Sequence, residues 1–201
     1  MPKLGAEPIR KAALVQATIA EIGRAGSLDV TVGQIARRAG MSSALAHHYF
    51  GSKETLFLAA MRHVLTIYGA EVRGALAVAR DPRARLDAVL RASFSPANFR
   101  REVAGAWLNF YVMALTVPEA RRLLAVYRRR LRSNLRHPLQ GLAGSRAPAL
   151  ADALAALVDG LYLQAVLGEG QASGETALAT LESYLNAELS QTEASGHARP
   201  A

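Results

Sequence analysis

The amino-acid sequence predicts an all-α protein, in which an N-terminal helix-turn-helix domain of three helices precedes a larger helical domain. Apolar residues recur at the three- and four-residue spacing of a helix face in one segment after another. The alternation of apolar and polar residues that indicates strands is missing, and no period of about 20–50 residues repeats. In residues 31–50, two short helical patterns stand on either side of Gly40, which is the arrangement of a helix-turn-helix.

The composition indicates a soluble globular protein with an anionic partner. The 201 residues include 24 Lys and Arg against 16 Asp and Glu, and the formal net charge of +8 suits a polyanion such as nucleic acid. The absence of cysteine excludes disulfides, thiolate metal sites and cysteine catalysis, and it fits a reducing cytoplasm. Charged residues interrupt the N-terminal region where a signal peptide needs an apolar core. Asp152 and Asp159 interrupt the most apolar window, 147–168, so we expect a cytoplasmic protein without a membrane span.

The first helix is predicted over residues 8–25. Pro8 suits the first turn of a helix, where its missing N–H is not needed, and Gly26 ends the apolar pattern. Residues 27–30 then link this helix to the helix-turn-helix, so that residues 8–50 form one three-helix unit.

The helix-turn-helix begins with a capping signal. Thr31 can cap the next helix, and Gln34 three residues later completes a capping box. Gly40 can adopt the left-handed conformation of a compact turn, and Ser42 or Ser43 can cap the second helix, 43–50. This short helix has a thin polar face, which suits the major groove of DNA.

Six further helices follow, and the chain divides into three parts. The helices are predicted over residues 53–79, 83–93, 97–115, 119–136, 147–168 and 175–190. We therefore predict a DNA-binding domain over residues 1–52, a ligand-binding and dimerisation domain over residues 53–190, and a flexible polar tail over residues 191–201.

The last two helices, 147–168 and 175–190, are candidates for a homodimer interface. Leucines form a stripe along each of them. Such stripes also suit the core of one chain, but a helix-turn-helix protein gains specificity when a two-fold partner doubles the half-site.

A resemblance to a known family rests on the end of the helix-turn-helix. The run HYFGSKETLF at residues 48–57, after a three-helix unit and before a long helix, resembles the TetR family of one-component regulators. In that family the tyrosine-phenylalanine pair, here Tyr49 and Phe50, ends the recognition helix. The lysine three residues beyond, here Lys53, contacts a phosphate.

Other runs of the chain resemble a group within this family, the BetI-type choline-sensing repressors. They are MPKLG at the start, AWLNFY from Ala106, RRLRSNL from Arg129 and DGLYL from Asp159. The resemblance implies repression of the genes that oxidise choline to glycine betaine, with release from the operator when choline binds.

Eight residues are predicted to contact operator DNA. Phosphate contacts from Thr31, Tyr49 and Lys53 would fix the register, while Ser43, Ala44 and His47 could reach base edges or thymine methyl groups. Helix capping and ordinary surface exposure are the alternative roles for most of them. The full set is Thr31, Gln34, Ser42, Ser43, Ala44, His47, Tyr49 and Lys53.

Five residues are predicted to bind a quaternary ammonium effector. Such a cation has no N–H to donate, so ring faces and a nearby carboxylate select it. Trp107 and Tyr111, four residues apart, share a helix face, and Phe110 is placed beside them. Asp159 and Tyr162 could supply the charge and another wall, although the rings could equally be core and Asp159 could pair with an arginine.

The sequence offers little support for other functions. His47 and His48 are adjacent on a helix and lack a third metal ligand nearby, and no catalytic set or phosphate-binding glycine loop is visible. We therefore expect no enzyme, no metal and no cofactor apart from the effector. The arginine run 128–136 is predicted to be structural or interfacial, with a second DNA contact as the alternative. Two alternatives remain for the whole protein: a TetR-type repressor of another cationic or apolar compound, and a helical protein that no longer binds DNA.

Overall fold

The computed structural model describes residues 6–168 and 173–197. Within these ranges it contains α-helices, one 3₁₀ turn and no strand, so the predicted all-α fold class is confirmed. The helices are α1 (Ala6–Ala25), α2 (Val32–Arg38), α3 (Ser43–Phe50), α4 (Lys53–Val78), α5 (Pro82–Ser93), α6 (Arg101–Thr116), α7 (Pro118–Ala143), α8 (Ala147–Leu167) and α9 (Gly174–His197), and the 3₁₀ turn (Gly144–Arg146) lies between α7 and α8.

The chain folds into two compact units. The first consists of residues up to Ile67 together with Arg100–Ala125, and the second consists of Tyr68–Phe99 together with the residues from Val126 onward. The helices α4 and α7 each contribute residues to both units. The predicted functional division at residues 52 and 190 stays a prediction.

In the first unit, α2 packs against both α1 and α3, and α1 packs closely against α6. The core is formed by apolar side chains that are almost completely buried, as the helical spacing predicts. These are Leu14, Ile22, Ile35, Ala46, Leu56, Ala60, Met61 and Phe110.

In the second unit, α9 packs against α5 and α8. Its core is a leucine-rich group of buried side chains, namely Leu86, Leu90, Leu131, Leu135, Leu139, Leu154, Val158, Leu181 and Leu185. Ion pairs join the same helices at the surface, including Arg91 with Glu182 at 2.9 Å.

One helix starts later than predicted. The helix expected over residues 97–115 begins at Arg101, because Asn98 is held in the preceding turn. Asn98 is buried, and its side-chain amide donates to the Ala92 carbonyl oxygen at 2.9 Å and to the Glu71 carboxylate. These bonds to residues outside α6 favour a turn at Asn98 over another turn of helix.

Another helix ends later than predicted. The helix expected to end at residue 136 continues to Ala143 through Pro138. A proline inside a helix costs about 3 kcal/mol. In the added part of the helix, Leu139 is fully buried and Ala143 is almost fully buried. Full burial of a leucine contributes roughly 1.5–3 kcal/mol, so the packing of these residues offsets the proline.

The C-terminal helix also runs further than the sequence indicates. α9 extends to His197, into the segment 191–201 predicted as a flexible tail. Residues 198–201 lie outside the described residues, and the flexibility of the tail stays a prediction.

One helical stretch of the described residues, Pro118–Leu167, passes a length and hydropathy test for a membrane span, with 39% of its most apolar window buried. A core helix passes the same test. Leu150, Leu154 and Val158 of α8 are buried within the second unit, as expected of a core helix.

Candidate functional site

The start of α2 is fixed by a complete capping box. The Gln34 amide donates to Thr31 Oγ1 at 3.1 Å, and the Thr31 amide donates to Gln34 Oε1 at 2.7 Å. Both side chains are exposed at the helix N-terminus, where backbone N–H groups favour an anion. The cap engages Thr31 Oγ1 and Gln34 Oε1, so the Gln34 side-chain N–H groups can donate to a phosphate together with backbone N–H groups of the first turn.

The turn between α2 and α3 is set by Gly40. Its φ of +67° lies in the left-handed region, which side chains with a Cβ disfavour. The Met41 amide donates back to the Ala36 carbonyl oxygen at 2.8 Å and closes the end of α2. Of the two serines considered as caps, Ser42 has this role, because the Leu45 amide donates to Ser42 Oγ at 3.2 Å.

The recognition helix α3 exposes the residues predicted to read bases. Ser43, Ala44 and His47 are exposed, whereas Ala46 on the opposite side is buried. His47 Nδ1 lies 3.3 Å from the Gly51 carbonyl oxygen. Because a carbonyl oxygen only accepts, Nδ1 is the donor in this bond.

Two cations lie against rings at the edges of this surface. Lys11 Nζ of α1 lies 5.7 Å from the centre of the Tyr49 ring, so α1 helps to position the half-buried Tyr49. Lys53, the first residue of α4, has its Nζ 5.4 Å from the centre of the Phe57 ring. The combination of a lysine with the N-terminus of a long helix suits a phosphate.

All eight predicted DNA contacts therefore lie in one compact unit, at the start of α2, along α3 and at the start of α4. Their contacts with operator bases and phosphates stay predictions.

A buried acid joins α1 to the end of α2. Glu21 is 5% exposed and pairs with Arg24 at 2.8 Å and with Arg38 at 2.9 Å. The hydrogen bond from Arg24 holds the pKa of Glu21 below its usual value, against the opposing effect of burial, with a further contribution from Arg38. Arg38, the last residue of α2, therefore forms an ion pair within the first unit.

The predicted effector residues of α6 lie in the first unit. Trp107 Nε1 donates to the Tyr111 hydroxyl at 3.1 Å, and the two rings meet edge to face with centres 5.3 Å apart. Trp107 is buried and Tyr111 is half-buried. Phe110 is completely buried, so Tyr111 is the most accessible ring of this group.

The other two predicted effector residues, Asp159 and Tyr162, lie in the second unit. The Tyr162 ring packs with Phe94 and Phe99, with centres 5.8 and 5.0 Å apart. The Tyr162 hydroxyl donates to the Ser93 carbonyl oxygen. Asp159 lies 4.0 Å from Arg128, which is the arginine pairing that the sequence left open.

Two tyrosines of the second unit were not among the predicted site residues. The rings of Tyr68 and Tyr127 meet edge to face with centres 5.7 Å apart. Burial raises the pKa of Tyr68 to about 12, and the nearby Asp159 carboxylate acts in the same direction. These two rings and Asp159, all within the second unit, are a second group of residues with the chemistry of a cation site. No spacing rule could reveal it, because the residues are separated by tens of positions.

The arginine run of α7 makes structural contacts. Arg132 pairs with Asp152 of α8 at 2.9 Å, in addition to the contact between Arg128 and Asp159. Arg129, Arg130 and Arg136 are exposed.

Comparison with known proteins identifies the family. Residues 14–60 match the bacterial regulatory proteins of the tetR family, and residues 82–190 match the C-terminal domain of BetI-type transcriptional repressors. The HTH-type transcriptional regulator BetI of Brucella anthropi is 45% identical over 190 residues, which cover 94% of this chain and 98% of that protein. The chain belongs to the TetR family of transcriptional regulators. With its BetI-type C-terminal domain it is a BetI-type transcriptional repressor, which confirms the predicted family and the prediction that it is not an enzyme.

Further relatives and solved structures support the same family assignment. BetI of Rhizobium meliloti is 46% identical over 190 residues, 94% of each chain. A transcriptional regulator from Pseudomonas aeruginosa PAO1 superposes with a TM-score of 0.77 at 28% identity, over 94% of this chain and 93% of that one. A regulator from Saccharomonospora viridis, solved in complex with choline, superposes with a TM-score of 0.75 over 88% of this chain and 95% of that one. Its identity is 23%, so this likeness shows the shared fold.

Proposed function

We propose that this TetR-family protein is a cytoplasmic homodimer that represses the genes converting choline to glycine betaine, and that choline releases it from its operator. The observation that carries the proposal is the exposed face of α3, which follows the capped N-terminus of α2 and precedes that of α4 along the chain, together with the BetI-type C-terminal domain. The exposed face of α3 suits binding to operator DNA, and the BetI-type C-terminal domain indicates which genes to test.

The DNA-binding step follows from the geometry of the helix-turn-helix. Phosphates bound at the start of α2 and at Lys53 would fix the orientation of α3 in the major groove. Ser43, Ala44 and His47 would then face base edges, each contact contributing roughly 1–3 kcal/mol of discrimination.

The effector step follows from the chemistry of choline. Its quaternary ammonium is bound by ring faces at about 0.5–2 kcal/mol each, and a carboxylate strengthens the attraction. Trp107 and Tyr111 supply rings in the first unit, and Tyr68, Tyr127, Tyr162 and Asp159 supply rings and charge in the second. In the proposed mechanism, α4 passes the change to α3, because α4 starts at Lys53 and contributes residues to both units.

The homodimer is proposed through α8 and α9. Although much of their leucine stripe is core, Leu163 and Leu167 of α8 are 46% and 72% exposed, which leaves apolar surface for a two-fold partner. Light scattering at micromolar concentration should give twice the mass of the chain, and a monomer mass would remove the dimer from the proposal.

A second candidate function keeps the repressor and changes the effector. The same ring surfaces suit other cationic or apolar compounds, so the chemistry of the rings leaves the effector open within these classes.

The test is release of a fluorescent operator fragment, taken from DNA upstream of choline-oxidation genes, measured by anisotropy. Choline, glycine betaine and 3,3-dimethylbutanol, the uncharged isostere of choline, are titrated in parallel. Release by choline at concentrations where the isostere is inactive supports a cation-selecting site. Release by the isostere alone supports an apolar effector, and binding of DNA without release by any of the three contradicts the choline response.

A further inference from the structure

The helices α1 and α6 of the first unit touch backbone to backbone at two glycines. A Cβ atom placed on Gly23 of α1 would lie 2.0 Å from the Glu102 carbonyl oxygen of α6, and one placed on Gly105 would lie 3.2 Å from the Gly23 carbonyl oxygen. Glycine inside a helix costs about 1 kcal/mol relative to alanine. The close approach gives both glycines a packing role.

This crossing lies between two parts of the chain with different predicted roles. On α6, Gly105 stands two residues before Trp107, whose indole N–H bonds to Tyr111. On α1, Gly23 stands two residues after Glu21, which pairs with Arg38 at the end of α2. A continuous path of packed backbone and ion pair therefore runs from the α6 rings to the helix-turn-helix, entirely within one compact unit.

The two glycines make a rigid backbone contact, and a groove lies beside that contact. Backbone contacts have no rotamers with which to absorb a displacement, so a shift of α6 must move α1. Beside the crossing lies a groove of about 580 Å³, lined by α1, by Arg38 and Ala39, and by Arg100, Glu102 and Val103. The groove leaves space that is not filled by side chains between α1, the end of α2 and the start of α6.

We propose that the contact between Gly23 and Gly105 forms a second route, besides α4, by which effector binding at Trp107 and Tyr111 reaches α2 and α3, with the Glu21–Arg38 pair as the next link. The inference rests on the proposed function, since it needs an effector that weakens operator binding. It adds Gly23, Gly105 and Glu21 as positioning residues that touch neither DNA nor effector.

The test compares two glycine substitutions in the full-length protein. Gly105→Ala places a methyl group in the crossing, whereas Gly74→Ala places one on α4 where no atom lies within 4 Å. For the parent and both variants, choline affinity is measured by calorimetry and operator affinity by anisotropy, with and without saturating choline. The coupling factor is the ratio of the two operator affinities, and it is typically 5–150 in allosteric proteins.

Gly105→Ala should have a choline affinity within about twofold of the parent value, while its coupling factor should be at least about fivefold lower. Gly74→Ala should keep the parent factor. A merely structural role would lower stability and leave this ratio unchanged, so an unchanged coupling factor in a folded Gly105→Ala protein overturns the proposal. A parent without any coupling rejects the proposed function itself, which the parent measurement reveals separately.

Hydrogen exchange on the unaltered protein covers the case in which Gly105→Ala does not fold. Choline should change amide exchange in α1 around Gly23 as well as in α6. A change confined to α6 would overturn the proposed path.

Discussion

The helix-turn-helix and the aromatic group of the second unit differ in the distances over which their contacts are made. Thr31 bonds to Gln34, and Ser42 bonds to Leu45, so each of these capping contacts spans one helical turn. Tyr162 instead bonds to Ser93, 69 positions away, and Tyr68 packs against Tyr127. A surface built by local contacts can be predicted from sequence, whereas a group of side chains brought together from distant segments can be predicted only in part.

If the α3 surface functions as its local geometry indicates, removing one base contact should have the largest effect. His47→Ala should weaken operator binding by roughly 1–3 kcal/mol and leave non-specific DNA binding nearly unchanged, because the loss concerns a base edge. Anisotropy titrations with operator and with scrambled DNA measure both values. His48→Ala, an exposed neighbour in α3, is the matched control, and equal losses on both DNAs would assign His47 a phosphate contact.

One substitution in each unit can show which of the two aromatic groups binds choline. Trp107→Leu and Tyr68→Leu each remove a ring and retain an apolar side chain. Loss of the ring that faces choline should weaken choline binding by roughly 0.5–2 kcal/mol. Calorimetry on proteins shown to be folded by circular dichroism gives the comparison. We expect the larger loss for Trp107→Leu. A loss only for Tyr68→Leu would move the site to the second unit, beside Asp159.

The phosphate contact predicted for Lys53 should appear in the salt dependence. Lys53→Ala should weaken operator and non-specific DNA alike and reduce the slope of log affinity against log salt by about 0.9. Arg130→Ala removes an exposed charge from the arginine run of α7 and should leave the slope unchanged. An altered slope for Arg130→Ala would instead place a second DNA contact on that run, and an unaltered slope for Lys53→Ala would exclude its phosphate contact.

The smallest predicted effect is a pH dependence of stability. The lowered pKa of Glu21 means that its ion pairs stabilise the folded state above the unfolded pKa of about 4.5, and this contribution is lost as the pH falls through the lowered value. Glu21→Gln should therefore lower the melting temperature at pH 7 more than at pH 3. Glu182→Gln removes a surface pair with Arg91 and should show a smaller difference; the same difference for both would show that burial of Glu21 adds nothing.

Much of the fold was predictable because helical spacing and capping are local signals. The recognition helix was predicted over residues 43–50 and is observed at Ser43–Phe50. The later start of α6 depends on Asn98 bonding to Ala92 and Glu71, and the continuation of α7 depends on burial around Pro138. Both are tertiary effects that override local preference.

The candidate site divides in the same way. The residues of the α3 surface follow from sequence, whereas the roles of Tyr68 and Tyr127 depend on contacts between distant segments. Gly23 gave a weak signal, since a glycine within an apolar helical pattern often marks a close helix contact, but its partner on α6 could be found only in the folded chain.

In the proposed mechanism, operator and choline each weaken the binding of the other through one thermodynamic coupling. Calorimetry of choline binding to the free protein and to the protein saturated with operator DNA tests it most directly. Operator should lower choline affinity by the same factor by which choline lowers operator affinity. Equal choline affinities with and without operator would contradict it, even if both ligands bind.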